Sequence, residues 1–183
     1  MQRRRYCSRE SNSGGVEAID AAVVGVACAL SAPGTGGGAV LTGTDGSARA
    51  ELLFNPTFPS MLHGLPAHGR ISLSTERRPD LVLAWTTPST RRWVVFDAKY
   101  RVGAANLGDA MTSAHIYRDA LRWADQGGAC AGAWLLSPRR SADADPWFQP
   151  AFHVAHGFGA LELRPGSPVS PPTAQRLSAI LRP

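Results

Sequence analysis

The chain has 183 residues, 44% hydrophobic and 18% charged, a balance typical of one soluble globular domain with its own core. Its net charge of +5 favours a polyanionic partner such as nucleic acid. The three cysteines have no CxxC spacing, which excludes a disulfide framework and a zinc site of that type and indicates a reducing cytoplasm.

The N-terminal part of the chain divides into an arm and the start of a domain. Residues 1–15 are polar and basic and predict a flexible N-terminal arm. Residues 16–183 predict a single domain, with a core over about 16–136 and a C-terminal extension over 137–183. The first helix is expected over 16–31; its apolar segment AAVVGVACALSA is shorter than the roughly 20 residues of a membrane span.

A series of short apolar segments then predicts strands, because each is rich in β-branched and aromatic residues and bounded by turn residues. These segments are residues 39–43, 49–56, 70–75, 80–85, 92–100 and 129–137, followed by AFHVAH and GALELR nearer the C-terminus. A second helix is expected to open at Asp109 as its N-cap and to end before the glycine pair GG. TAQRLSAILR predicts a C-terminal helix.

The strands DLVLAW and RWVVFDAKY, separated by TTPSTR, predict an antiparallel hairpin. A turn centred between Pro88 and Ser89 places residue i opposite residue 177 − i. Asp80 then lies opposite Asp97, and strand alternation places Lys99 on the face of Asp97. The apolar residues of both faces predict a central hairpin that is covered on its two sides.

This carboxylate pair has a chemical consequence. Two carboxylates in an apolar sheet repel each other unless a cation or a proton lies between them. Hard oxygen ligands of this kind suit Mg²⁺ or Mn²⁺, which can activate a bound water beside a phosphodiester. The alternative is a structural ion-pair cluster of Asp80, Asp97 and Lys99.

Lys99 is the one lysine among 19 cationic residues, so the other 18 are arginines. A GC-rich coding bias explains part of the arginine excess. A lysine at this position fits a role beside a metal-bound water, since its ammonium is compact and its pKa responds to burial, whereas arginine is a broad, permanently charged fork.

The segment RPDLVLAW…WVVFDAKYR resembles the PD-(D/E)xK nuclease superfamily, which has a restriction-endonuclease-like fold. DAKYR followed by DAMTSAHIYRDALR is similar to nuclease domains of modification-dependent restriction systems. The resemblance covers roughly residues 50–136. It implies an α/β fold with an αβββαβ core, in which a mixed central sheet is flanked by helices.

The resemblance also implies site residues. Asp80 and Asp97 would hold the metal, helped by the carbonyl of Ala98, and Lys99 would orient or activate the attacking water. The superfamily often adds an acidic residue from the first helix, for which Glu17 is the candidate and Glu51 the rival.

Further polar residues surround these elements. On the second helix, His115 and Arg118 are candidates for phosphate contact or support of the site, and Tyr117 is expected in the core with its hydroxyl toward the site edge. Arginines that could follow a DNA backbone surround the hairpin: Arg77, Arg78, Arg91, Arg92 and Arg101. An exposed polar surface is the alternative for this set.

These features predict a divalent-metal-dependent endonuclease acting on DNA, in restriction or genome defence. By the resemblance, partners would include a separate AAA+-type NTPase or a larger defence complex; a homodimer remains an open alternative, and no membrane association is expected. Two other functions stay open: a catalytically inactive nuclease-fold module that binds nucleic acid or proteins, and an α/β domain in which D-x-K is incidental.

Overall fold

The computed structural model describes residues 39–42, 49–63, 68–100, 102–164 and 167–181; the predicted arm over 1–15 and the predicted helix over 16–31 lie outside them. The strands are β1 (Ala39–Thr42), β2 (Arg49–Phe54), β3 (Arg70–Ser72), β4 (Leu81–Thr86), β5 (Arg91–Ala98), β6 (Leu121–Trp123), β7 (Gly128–Ala129), β8 (Ala133–Ser137) and β9 (Phe158–Glu162). The helices are α1 (Ala104–Ala120), α2 (Pro150–His156) and α3 (Pro171–Leu181), with 3-10 turns at Ala124–Gln126 and Ala142–Phe148.

The main sheet has six strands in the order β1-β2-β4-β5-β8-β9. The pairs from β1 to β5 are antiparallel, whereas β5 pairs with β8, and β8 with β9, in parallel. The change of direction follows from α1, which carries the chain back between β5 and β8 as parallel pairing requires. The α/β class with a mixed central sheet is therefore confirmed. A small antiparallel sheet, β3-β6-β7, lies beside it.

The predicted hairpin register is confirmed in the β4–β5 pair. Val82 pairs with Val95 and Ala84 with Trp93, so each pair sums to 177. Five of the six residues of β4 and five consecutive residues of β5 are buried, which confirms a central hairpin covered on both sides.

The two faces of the hairpin pack against different helices. Leu83 and Phe96 belong to a core that includes Leu177 of α3, whereas Val82 and Val95 belong to a second core that α1 covers. We call these the α3 face and the α1 face. Since β9 and α3 supply buried residues, the segment predicted as a C-terminal extension contributes to the same core.

The start predicted for the helix after the hairpin was wrong. The helix α1 begins at Ala104, five residues before Asp109. Its first N–H groups are bound by a distant loop, because the Asp143 carboxylate accepts the Ala104 N–H at 2.9 Å and the Ser141 hydroxyl accepts that of Gly103 at 3.2 Å. Long-range capping of this kind leaves no local sequence signal.

Two further element predictions were wrong. α1 ends at Ala120, because Leu121 pairs with Ser72 and starts β6. AFHVAH forms the helix α2, which has Pro150 in its first turn and the left-handed Gly157 after its end.

Among the helices that the structure describes, none is long and apolar enough to cross a membrane.

Candidate active site

Two carboxylates meet where the β4–β5 hairpin ends away from its turn. Asp80 directly precedes β4, and Asp97 is the penultimate residue of β5, so the register places them opposite each other on the α1 face. The Asp80 carboxylate accepts the N–H of Ala98 at 2.7 Å. Asp97 is only 2% exposed. The site therefore combines a partly solvated carboxylate with a buried one.

Lys99 lies directly against this buried carboxylate. Its Nζ is 2.8 Å from Oδ2 of Asp97, and its side chain is 27% exposed. The backbone N–H of Lys99 donates to the carbonyl of Leu136 at 2.9 Å, which continues the parallel pairing with β8. The lysine is thus held by the sheet although it follows the last residue of β5.

Burial raises the pKa of Asp97 from 3.8 to about 6. The ammonium of Lys99 opposes this rise, while the neighbouring Asp80 adds to it. One lysine therefore compensates incompletely for a buried carboxylate with a second carboxylate beside it. A carboxylate in this situation favours the approach of a further cation.

Tyr117 of α1 lies in the electrostatic field of the same carboxylates. Burial, and then the charges of Asp97 and Asp80, raise the pKa of its phenol to about 12, while the charge of Arg77 acts in the opposite direction. Tyr117 also packs against the α1-face core. Its hydroxyl is therefore neutral over the physiological pH range, and the charges of both carboxylates act on it.

The structure places His115 and Arg118 elsewhere on α1, over β9. The His115 ring centroid is 4.1 Å from that of Phe158, and the Arg118 guanidinium lies 5.4 Å from the same ring. Arg118 also donates to the carboxylate of Asp119 and to the carbonyl of His156. In the described part of the chain these contacts occupy Arg118, and they do not join it or His115 to the carboxylate pair.

The other predicted site residues have separate positions. Arg78 is exposed and donates to Glu76 at 3.1 Å. Glu51 pairs with Ala84, four residues and about 13 Å along β4 from Asp80, so the register does not bring it to the carboxylates. Two predicted site residues lie outside the described residues: Glu17 and Arg101.

The carboxylates fit a hard divalent cation. Oδ2 of Asp97 is buried, and the cation that the described residues bring to it is the Lys99 ammonium, whose Nζ lies 2.8 Å away. Mg²⁺ is commonly held by one or two carboxylates together with waters and substrate phosphate. Among the residues that the structure describes, no group of three or more His, Cys, Asp or Glu side chains could hold a metal. Asp80 and Asp97 are the acidic ligands that these residues offer.

One residue near the site was underrated from the sequence. Arg77 is predicted only as one of several arginines around the hairpin, but in the structure it lies on the α1 face, and its charge acts on the Tyr117 hydroxyl. The indication is its antiparallel bridge to Phe58, which lies 19 residues earlier in the chain. No local pattern around Arg77 reports such a bridge.

A mixed sheet whose central hairpin ends in two carboxylates and a lysine defines a nuclease-like α/β protein. A family model described as the PD-(D/E)XK nuclease superfamily matches residues 17–142, more than half of the chain. The chain belongs to the PD-(D/E)XK nuclease superfamily, which confirms the resemblance seen in the sequence and the restriction-endonuclease-like fold. No curated protein and no solved structure matches the chain significantly.

Proposed function

We propose that this protein is a divalent-metal-dependent endonuclease that hydrolyses phosphodiester bonds of DNA. The observation that carries the proposal is the pairing of Asp80 with the buried Asp97, whose Oδ2 lies 2.8 Å from the Nζ of Lys99. Membership of a nuclease superfamily supports the reaction class.

Each side chain has a distinct role in the proposed reaction. Asp80 and Asp97 would hold Mg²⁺ or Mn²⁺ together with the carbonyl of Ala98. When bound, the ion supplies an activated water and stabilises negative charge on the phosphate. Lys99 positions the attacking water through its ammonium, which the salt bridge to Asp97 holds at the site. Tyr117 contributes a neutral donor at the edge of the carboxylate pair.

The wider biological role rests on charge and resemblance. A net charge of +5 suits a DNA backbone. The similarity of DAKYR and HIYRDA to nuclease domains of restriction systems supports a place in restriction or genome defence, in the cytoplasm. A separate AAA+-type NTPase, a larger defence complex and a homodimer belong to the same proposal.

A nuclease-fold module that binds nucleic acid without cleaving it is the second candidate. It is favoured by the two, rather than three, acidic ligands that the described residues bring together. Glu17, outside the described residues, is the proposed third ligand. In a nuclease the carboxylates are needed for cleavage, whereas in a binding module they have only a structural role.

A plasmid-nicking assay separates them. Wild type should nick supercoiled DNA with Mg²⁺ or Mn²⁺ but not with EDTA, and Asp97→Asn and Lys99→Ala should each abolish nicking. Asp109→Asn is the matched control, because Asp109 is an exposed aspartate on α1. DNA binding in a gel-shift assay, without nicking by wild type or any variant, would support the non-catalytic module. Cleavage of a labelled RNA but not of the plasmid would overturn the choice of DNA.

A further inference from the structure

Backbone hydrogen bonds fix the main chain of Arg77 shortly before the start of β4. Arg77 and Phe58 exchange two backbone hydrogen bonds, of 2.9 and 3.0 Å, in an antiparallel bridge. Arg77 is three residues before Asp80, whose carbonyl accepts the N–H of Asn55 at 2.8 Å. The chain segments 55–58 and 77–80 therefore run side by side beyond the ends of β2 and β4.

This bridge decides the side of the sheet on which Arg77 emerges. Residues paired across an antiparallel bridge point to the same face. Phe58 is fully buried on the α1 face and stacks on Trp93, with ring centroids 5.6 Å apart. Arg77 consequently projects on the face that carries Asp97 and Tyr117, and its charge acts on the Tyr117 hydroxyl.

The guanidinium of Arg77 has a buried donor that no described residue accepts from. Within the described residues, two arginines have a buried Nε without a hydrogen-bond partner, Arg70 and Arg77. Arg70 lies over the Trp123 ring at 5.5 Å and interacts with the charge of Glu51. Among the same described residues, Arg77 contacts neither a carboxylate nor an aromatic ring in this way. A buried donor without a partner costs free energy, so such a group needs an explanation. One explanation is that a ligand binds there.

We infer that Arg77 is a phosphate-binding residue of the active site. Its guanidinium binds a backbone phosphate of the DNA next to the bond that is cut. This inference rests on the proposed nuclease function and deepens it. A planar guanidinium presents parallel donors that match two oxygens of a phosphate, and its charge is permanent. The carboxylate pair repels a phosphate anion, so a fixed cation on the same face offsets part of that repulsion.

DNA binding without cleavage provides the first test. Affinity for a short labelled duplex is measured in EDTA at several salt concentrations for wild type, Arg77→Ala and Arg77→Lys. Arg77→Ala should bind about tenfold or more weakly, and the slope of log K against log salt should become shallower by roughly 0.9, the value for one lost phosphate contact. Arg77→Lys keeps the charge, so it should keep the slope while still binding more weakly than wild type.

Arg164→Ala is the matched control, since this arginine is exposed and its ion-pair partner among the described residues is Glu162, at 3.8 Å. Its salt slope should equal that of wild type. An unchanged slope in Arg77→Ala, with a thermal midpoint equal to that of wild type, would overturn the inference. Arg77→Gln gives the second reading if the alanine variant unfolds: an unchanged salt slope in this uncharged, folded variant would also overturn the inference.

Cleavage kinetics separate this inference from the proposed function. In an active enzyme, Arg77→Ala should raise KM more than it lowers kcat, because the phosphate contact exists before the reaction. If wild type binds DNA but never cleaves it, the nuclease proposal fails while the salt slope still decides whether Arg77 contacts a phosphate.

Discussion

Replacing Asp97 by asparagine should make the metal-free protein more stable while it abolishes cleavage. Asp97 is 2% exposed, and burial is the main reason why its pKa is raised from 3.8 to about 6. That difference corresponds to about 3 kcal/mol of destabilisation when the carboxylate is ionised in the folded protein. Lys99 loses its charged partner in the variant, so we expect a net gain of about 1 to 3 kcal/mol.

The sign of the pH dependence follows from the raised pKa of Asp97. The folded protein binds the proton more tightly than the unfolded chain, so stability is lost as pH rises from 3.8 through about 6. Urea unfolding in EDTA can be followed by tryptophan fluorescence. Asp97→Asn should have a higher free energy of unfolding than wild type at about pH 8, and this difference should disappear at about pH 4. Asp109→Asn, the control, should have the same free energy of unfolding as wild type at both pH values. An Asp97→Asn variant no more stable than wild type at the higher pH would refute a strained carboxylate pair.

Four further substitutions test individual residues, the last of them as a control for the third. Lys99→Arg keeps the charge but should cleave about 10²-fold more slowly, which single-turnover nicking measures; wild-type cleavage would make Lys99 a source of charge alone. His153 is buried, its Nδ1 accepts a hydrogen bond from Arg176, and its pKa is lowered mainly by burial. The free energy of unfolding of the wild type should therefore fall as the pH drops below 6.5, and that of His153→Gln should fall much less. Urea unfolding at a series of pH values measures both. Gly159→Ala should cost about 1–3 kcal/mol because its Cβ would overlap the His153 ring, whereas Gly108→Ala in α1 should be neutral or stabilising, by thermal midpoint.

The hairpin could be predicted because its information is local. Short turn residues and two apolar runs limit the possible pairings, and a slip of one residue would have moved Asp97 from the α1 face to the opposite face. Val82 opposite Val95 is the same in the prediction and in the structure. Alternation along the strand then requires Lys99 to share the face of Asp97. The geometry of the site centre was therefore contained in a segment of about 20 residues.

The surroundings of the site depend on contacts that a local pattern does not contain. The start of α1 is capped by Asp143, 39 residues further along the chain. Arg77 reaches its position through Phe58. His115 and Arg118 are spaced for one helical face, but which neighbour that face meets depends on β9 and Phe158. Periodicity predicts that such residues share a face and not what lies opposite them.

The position of the site follows from the way the sheet changes direction. β5 pairs with β4 in antiparallel and with β8 in parallel, so its carboxyl end meets the start of one strand and the carboxyl end of another. The start of β4 brings Asp80, and the parallel partner supplies the Leu136 carbonyl that holds Lys99. An all-antiparallel sheet would place the start of β8 there, and with it a different chain path over the carboxylates. The crossover through α1 thus determines which strand ends meet at the carboxylates, and the same helix brings Tyr117 within reach of their charges.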